Sequence, residues 1–112
     1  MVSDQFGSPT LAFDLAVVSV SIIENTPDNR IADVAGIYHA TGSGMTSWFG
    51  FAREIFSLMN KSVKLNAIST EDYPTPAPRP HYSVLSNEKL QRVFGVALPA
   101  WQESLAKTID KL

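Results

Sequence analysis

Four prolines fall within seven residues, Pro74, Pro76, Pro78 and Pro80, and no other feature narrows the conformations open to this chain as much. Proline has no backbone N–H to give to a helix or ladder and holds φ near −65°. It also drives the residue before it toward extended geometry. The stretch from Tyr73 to Pro80 therefore reads as a stiff extended arm, about 3 Å long per residue, with one cation, Arg79, near its end. A rigid segment with a single charge implies a positioned contact.

The rest of the chain is ordinary enough to fold around such an arm. Its 112 residues suit one domain. A net charge of −2, with basic residues never adjacent, argues against a nucleic-acid or anionic-membrane surface. The absence of cysteine removes disulfides, thiol chemistry and Cys-based zinc sites, and fits a cytoplasmic protein. The opening residues lack the basic and apolar regions of a signal peptide. The apolar run Leu11–Ile23 is too short and too polar for a membrane span.

Periodicity places the elements. Residues 10–25 read as a helix capped by Thr10, with Leu11, Leu15, Val18 and Ile22 on one face. The alternating Val18-Ser-Val-Ser-Ile22 leaves a strand open as the competitor. As a helix it is apolar nearly all round and expects cover on more than one side. Residues 25–36 read as a polar loop and 37–40 as a short strand. Trp48, Phe51, Ala52, Ile55, Phe56 and Met59 mark a second helix, capped by Thr46 or Ser47. Residues 63–68 alternate as a strand, so 37–40 and 63–68 are expected to pair in parallel as a βαβ unit. After the arm come a brief strand at 82–85, a helix from Ser86 to Phe94 closed by Gly95, and a last helix with Pro99 in its first turn. Leu98, Trp101, Leu105, Ile109 and Leu112 form that helix's stripe, and both tryptophans, Trp48 and Trp101, are expected in the core. The class is α/β: a small domain with a short parallel βαβ unit, one or two extra short strands and about four helices.

The residues show no self-contained active site. His39 and His81 have no partner at ligand spacing, so neither reads as a metal ligand. Gly42-Ser-Gly44 lacks the third glycine and the Lys-Ser/Thr ending of a phosphate loop and reads as a turn. Asp4-Gln-Phe-Gly-Ser-Pro-Thr10 sets polar donors just before a helix start, where anions are favoured, and reads equally as an anion-binding segment or a capped helix start.

Four blocks occur in one order: Asp4-Gln-Phe-Gly-Ser-Pro-Thr10 with Asp14-Leu-Ala16; Gly36-Ile-Tyr-His-Ala-Thr-Gly-Ser-Gly44 with Thr46-Ser-Trp48; Arg79-Pro-His-Tyr-Ser-Val-Leu85 with Lys89-Leu90; and Leu98-Pro-Ala-Trp101 with Leu105. Together they resemble the carboxy-terminal part of the dTDP-4-dehydrorhamnose reductase family, within the extended short-chain dehydrogenase/reductases. The resemblance implies a two-part enzyme. A Rossmann domain binds NADPH or NADH and carries a Tyr-x-x-x-Lys pair that protonates the carbonyl oxygen. A smaller domain closes over the dTDP-sugar while hydride goes to C4.

This chain departs from that pattern. The positions four after Tyr38, Tyr73 and Tyr82 are Gly42, Ala77 and Ser86, and there is no Gly-x-x-Gly-x-x-Gly loop. The Rossmann half is thus absent, and residues 1–112 read as a substrate-binding domain alone. By itself it is expected to bind no cofactor, to catalyse no reduction and to hold dTDP-sugar weakly at best; the intact enzyme is left open as a homodimer. On this resemblance Arg79 would contact the nucleotide-sugar, with Gln5, Gly7, Ser8 and Thr10 as lining residues. Arg79 pairing with a carboxylate to pin the arm remains the alternative, and Tyr82 either stacks on ligand or packs under the arm. A second reading is a non-catalytic sugar-nucleotide or protein-binding module of the same family, with the apolar helix 11–23 as a partner interface.

Overall fold

A computed structural model describes residues 1–112. The first residues run as an extended segment to which the rest of one side is stitched. Its end, β1 (Phe6–Gly7), pairs antiparallel with β2 (Thr46–Ser47), with Phe6 opposite Ser47. On the other edge Phe6 bridges Tyr82 in parallel, and Val2 bridges Ile68 in parallel. The expected βαβ pairing is therefore not formed: residue 68 joins the amino-terminal segment, and residues 37–40 form no strand. The backbone around residues 37–43 is held from outside instead. Asn87 offers its amide like a strand edge, accepting from the Thr41 N–H at 2.9 Å and donating to the Thr41 carbonyl at 2.8 Å. Ser43 bridges Ala100. The brief strand at 82–85 is reduced to the single bridge at Tyr82.

Four of the five helices follow the sequence pattern, with local corrections. The first, α1 (Ala12–Asn25), settles the helix–strand alternative as helix, but Leu11 rather than Thr10 is its N-cap. The loop after it contains a 3₁₀ turn (Asp28–Arg30) and a short helix α2 (Ile31–Val34) that periodicity could not announce in four residues. In α3 (Trp48–Leu58), Ser47 is the cap, accepting from the Gly50 N–H. Helix α4 (Glu88–Phe94) ends on Gly95 at φ 66°, with its N–H on the Gln91 carbonyl, the left-handed stop that glycine supplies without a Cβ penalty. Helix α5 (Trp101–Asp110) starts two residues later than Pro99 implied, with Ala100 as its cap.

The core is small. Val18, Leu90 and Leu98 are buried together, flanked by Ile22, Tyr38, Ala40, Phe94 and Val96, and Tyr38 meets Phe94 with ring centroids 4.9 Å apart. A second patch joins α3 to α5 through Ala52, Phe51, Trp101 and Leu105. Trp101 is buried as expected, with its indole N–H unpartnered, but Trp48 is 57% exposed. It opens α3 at the edge of the domain, where no layer covers it.

Helix α1 turns its inner face on Val18 and on Asp14, whose carboxylate is buried and accepts from Ser104 of α5. Its outer face carries Phe13, Val17, Val20 and Ile23, all more than half exposed, while Leu15, at the flank of the core stripe, is 37% exposed. The molecule measures 55 × 33 × 21 Å with a radius of gyration of 17.1 Å, against about 13 Å for a compact domain near this length. Only 10 of 112 residues are buried. It is a slab one or two elements thick, and α1 has cover on one side only.

Candidate functional site

The segment 4–10, the turn 42–44 and the loop 69–81 meet around β1. Each reaches it for a local reason. Gly7 lies where a Cβ would press on Ser83 Oγ at 3.1 Å. Gly42 packs backbone to backbone on Pro9, leaving no room for any side chain. The loop 69–81 leaves the amino-terminal segment after Ile68 and returns to it at Tyr82.

The sequence candidates divide sharply by what their side chains do. Gln5 Nε2 donates to Thr70 Oγ1 at 3.3 Å. Ser8 Oγ donates to the Gly44 carbonyl at 2.7 Å. Thr10 Oγ1 donates to the Ser8 carbonyl and accepts from the Gly42 N–H, both at 3.0 Å. These three hold loops to one another. Arg79 and Tyr82 are exposed. The protein has two ion pairs, Arg30–Asp33 and His81–Asp4, so Arg79 pins the arm to no carboxylate. Tyr82 is 63% exposed and is not packed beneath the arm. The arm carries an exposed cation in no ion pair, three positions before Tyr82, whose backbone is bridged to β1.

Sequence reasoning passed over Asp4 as a residue of its own. Its carboxyl is held below the ordinary 3.8 by hydrogen bonds from the Thr70 N–H and then the Thr70 hydroxyl, with His81 a smaller attraction. No sequence signal announces a contact between residues 66 positions apart. Nor do the residues here fit a dinucleotide cofactor. The turn 42–44 is closed by Pro9, and the Ser43 backbone is taken by Pro99 and Trp101, so no run of free N–H groups cradles a phosphate. No group of three or more His, Asp or Glu side chains converges as a metal site. Apart from this region, an apolar groove of about 320 Å³ lies between α1, α2 and α4, lined by Ile22, Ile31, Val34, Tyr38, Leu90 and Phe94. None of the candidate residues lines it. No helix is long and apolar enough to cross a membrane.

Known proteins carry the same pattern. The family described as RmlD substrate binding domain matches residues 1–112. The dTDP-4-dehydrorhamnose reductase of Sinorhizobium fredii is 41% identical over 97% of this chain and 38% of its own length. That of Escherichia coli K12 is 39% identical over 100% of the chain and 39% of its own. The crystal structure of dTDP-4-dehydrorhamnose reductase from Bacillus anthracis in complex with NADP superposes with a TM-score of 0.84 at 35% identity, over 99% of this chain and 37% of that one. The chain thus spans about two fifths of the length of these relatives. A match along every residue, with the same fold in a solved relative, means that this chain belongs to the RmlD substrate binding domain family.

Proposed function

We propose that this chain is the sugar-nucleotide-binding part of an NADPH-dependent reductase that converts dTDP-4-dehydro-L-rhamnose to dTDP-L-rhamnose. The observation that carries this reading is the match over residues 1–112 to a substrate binding domain whose solved relative holds NADP. In it, Arg79 grips the diphosphate. A guanidinium binds phosphate oxygens bidentately, and Arg79 is exposed and outside both of the protein's ion pairs. Tyr82 follows three positions later, at the return of the loop. The contribution is positional: binding and orientation lower the barrier only where cofactor and acid are also present. The Tyr-x-x-x-Lys pair and the cofactor loop are not among these residues, so the chain alone reduces nothing.

The uncovered face of α1 supports a second half as its partner. Phe13, Val17, Val20 and Ile23 form an apolar strip on a slab whose relatives are more than twice as long. A helix apolar on both sides is stable when both are packed.

The test is a titration of the isotope-labelled chain with dTDP. Shifts are expected at residues 5–10 and 79–82, in fast exchange. R79A is expected to weaken binding about tenfold or more, the worth of hydrogen bonds to a charged group. Shifts elsewhere, none at all, or turnover of the keto-sugar with NADPH by this chain alone would overturn the reading.

A further inference from the structure

We propose that Asp4 is the positioning residue for Arg79: its carboxylate staples the neck of the loop 69–81 and so fixes where the arm points. The inference rests on the reading of Arg79 as the diphosphate contact.

The loop is anchored at both ends on one short segment. Ser3 donates to the Ile68 carbonyl and Ile68 to the Met1 carbonyl, each at 3.0 Å. At the return, Phe6 donates to the His81 carbonyl at 2.8 Å and Ser83 to the Phe6 carbonyl at 2.9 Å. Asp4 sits between these anchors and touches both sides of the neck. Its Oδ1 accepts from Thr70 Oγ1 at 2.7 Å and its Oδ2 from the Thr70 N–H at 3.1 Å. The same Oδ2 lies 3.7 Å from His81 Nε2. Two donors of Thr70 meet one carboxylate, a group that only accepts, and the His81 imidazole flanks it.

Beyond the neck the loop makes no hydrogen bond or ion pair except within itself. Ser69 and Asp72 close a turn, Thr75 Oγ1 donates to the Ala77 carbonyl, and residues 71–83 are all exposed. The four prolines make the arm stiff but take away the donors that a ladder would need. A stiff segment with no lateral hydrogen bonds moves as one body about its ends. Arg79, two residues before His81, is therefore only as well placed as the neck.

The experiment compares the wild-type chain with D4A, D4N, T70V and T70S by backbone amide relaxation. Order parameters for the six non-proline residues of 71–80 (Glu71, Asp72, Tyr73, Thr75, Ala77 and Arg79) are expected to fall from the rigid range near about 0.85 toward about 0.6 in D4A. D4N, which swaps an acceptor for a donor, and T70V follow in the same direction. T70S restores the wild-type values, and amides of α3 and α5 stay unchanged in all four. With dTDP as probe, D4A weakens binding about tenfold or more, and the loss vanishes in the R79A background, because Asp4 acts through Arg79. Unchanged order parameters in D4A and T70V, or an equal D4A loss with and without Arg79, would overturn the proposal. Absence of dTDP shifts in the wild type overturns the Arg79 reading instead, while the relaxation series alone still decides the staple.

Discussion

Replacing Gly42 by alanine should be among the most damaging one-methyl changes in this protein. The nearest atoms to the added Cβ are the Pro9 carbonyl oxygen, in severe overlap, then the Pro9 carbonyl carbon at 3.3 Å and Thr10 Cα at 3.7 Å. All are backbone, so no side chain can rotate away. The turn 42–44 and the segment 8–10 must separate. That strains the Gly42 N–H bond to Thr10 Oγ1 and the Ser8 bond to the Gly44 carbonyl, worth about 1 kcal/mol each. Overpacking adds about 1–3 kcal/mol, and the stiffer unfolded chain returns about 0.4–1 kcal/mol. The net is a loss of about 2–4 kcal/mol. Gly95 is the control. Its φ of 66° is left-handed, but a Cβ there meets nothing within 4 Å, so G95A pays only the backbone term, about 1 kcal/mol. Urea unfolding of both variants, followed by far-UV circular dichroism, compares them directly. A midpoint for G42A at or above that of G95A would refute the close-packed turn.

Leu90 is 2% exposed at the centre of the main cluster; L90A is expected to cost about 2–5 kcal/mol in the same assay, enough to unfold much of so thinly cored a chain. Because the folded Asp4 carboxyl is held below its ordinary 3.8, its neck contacts are fully present above that value and are lost as pH falls through the lower folded one. The protection factor of the Thr70 amide, the exchange rate corrected for its intrinsic pH dependence, should fall across that acid window and stay flat from about pH 5 upward; a fall beginning near neutrality would contradict the assignment. Trp48 is 57% exposed and Trp101 6%, so iodide should quench W101F emission strongly and W48F emission weakly, and equal quenching would contradict the two placements.

What was legible beforehand was local. The i, i+3, i+4 spacing of α3 and the glycine closing α4 are decided within one or two turns of chain, and both stand where the pattern put them. Strand partners are decided by residues far away. Ile68 could pair with any extended neighbour, and the amino-terminal segment, with two open edges, took Ile68 and Tyr82 on one side and β2 on the other. The inner face of α1 was legible in Val18 and Ile22, which do turn to the core, but not in Asp14, whose buried contact with Ser104 of α5 no apolar period announces. The two tryptophans sit on similar helical patterns, yet only Trp101 has a second helix against it.

Sequence alone therefore determined four of the five helices and the family to which four ordered blocks pointed, because each depends on neighbours along the chain. Tertiary structure alone decided that Gln5, Ser8 and Thr10 bind loops together and that Arg79 lies outside both ion pairs. It also put Asp4 at the neck of the arm. Those are facts about which donors meet which acceptors across 30 to 80 residues of intervening chain, and such meetings are set by packing, which no local pattern encodes.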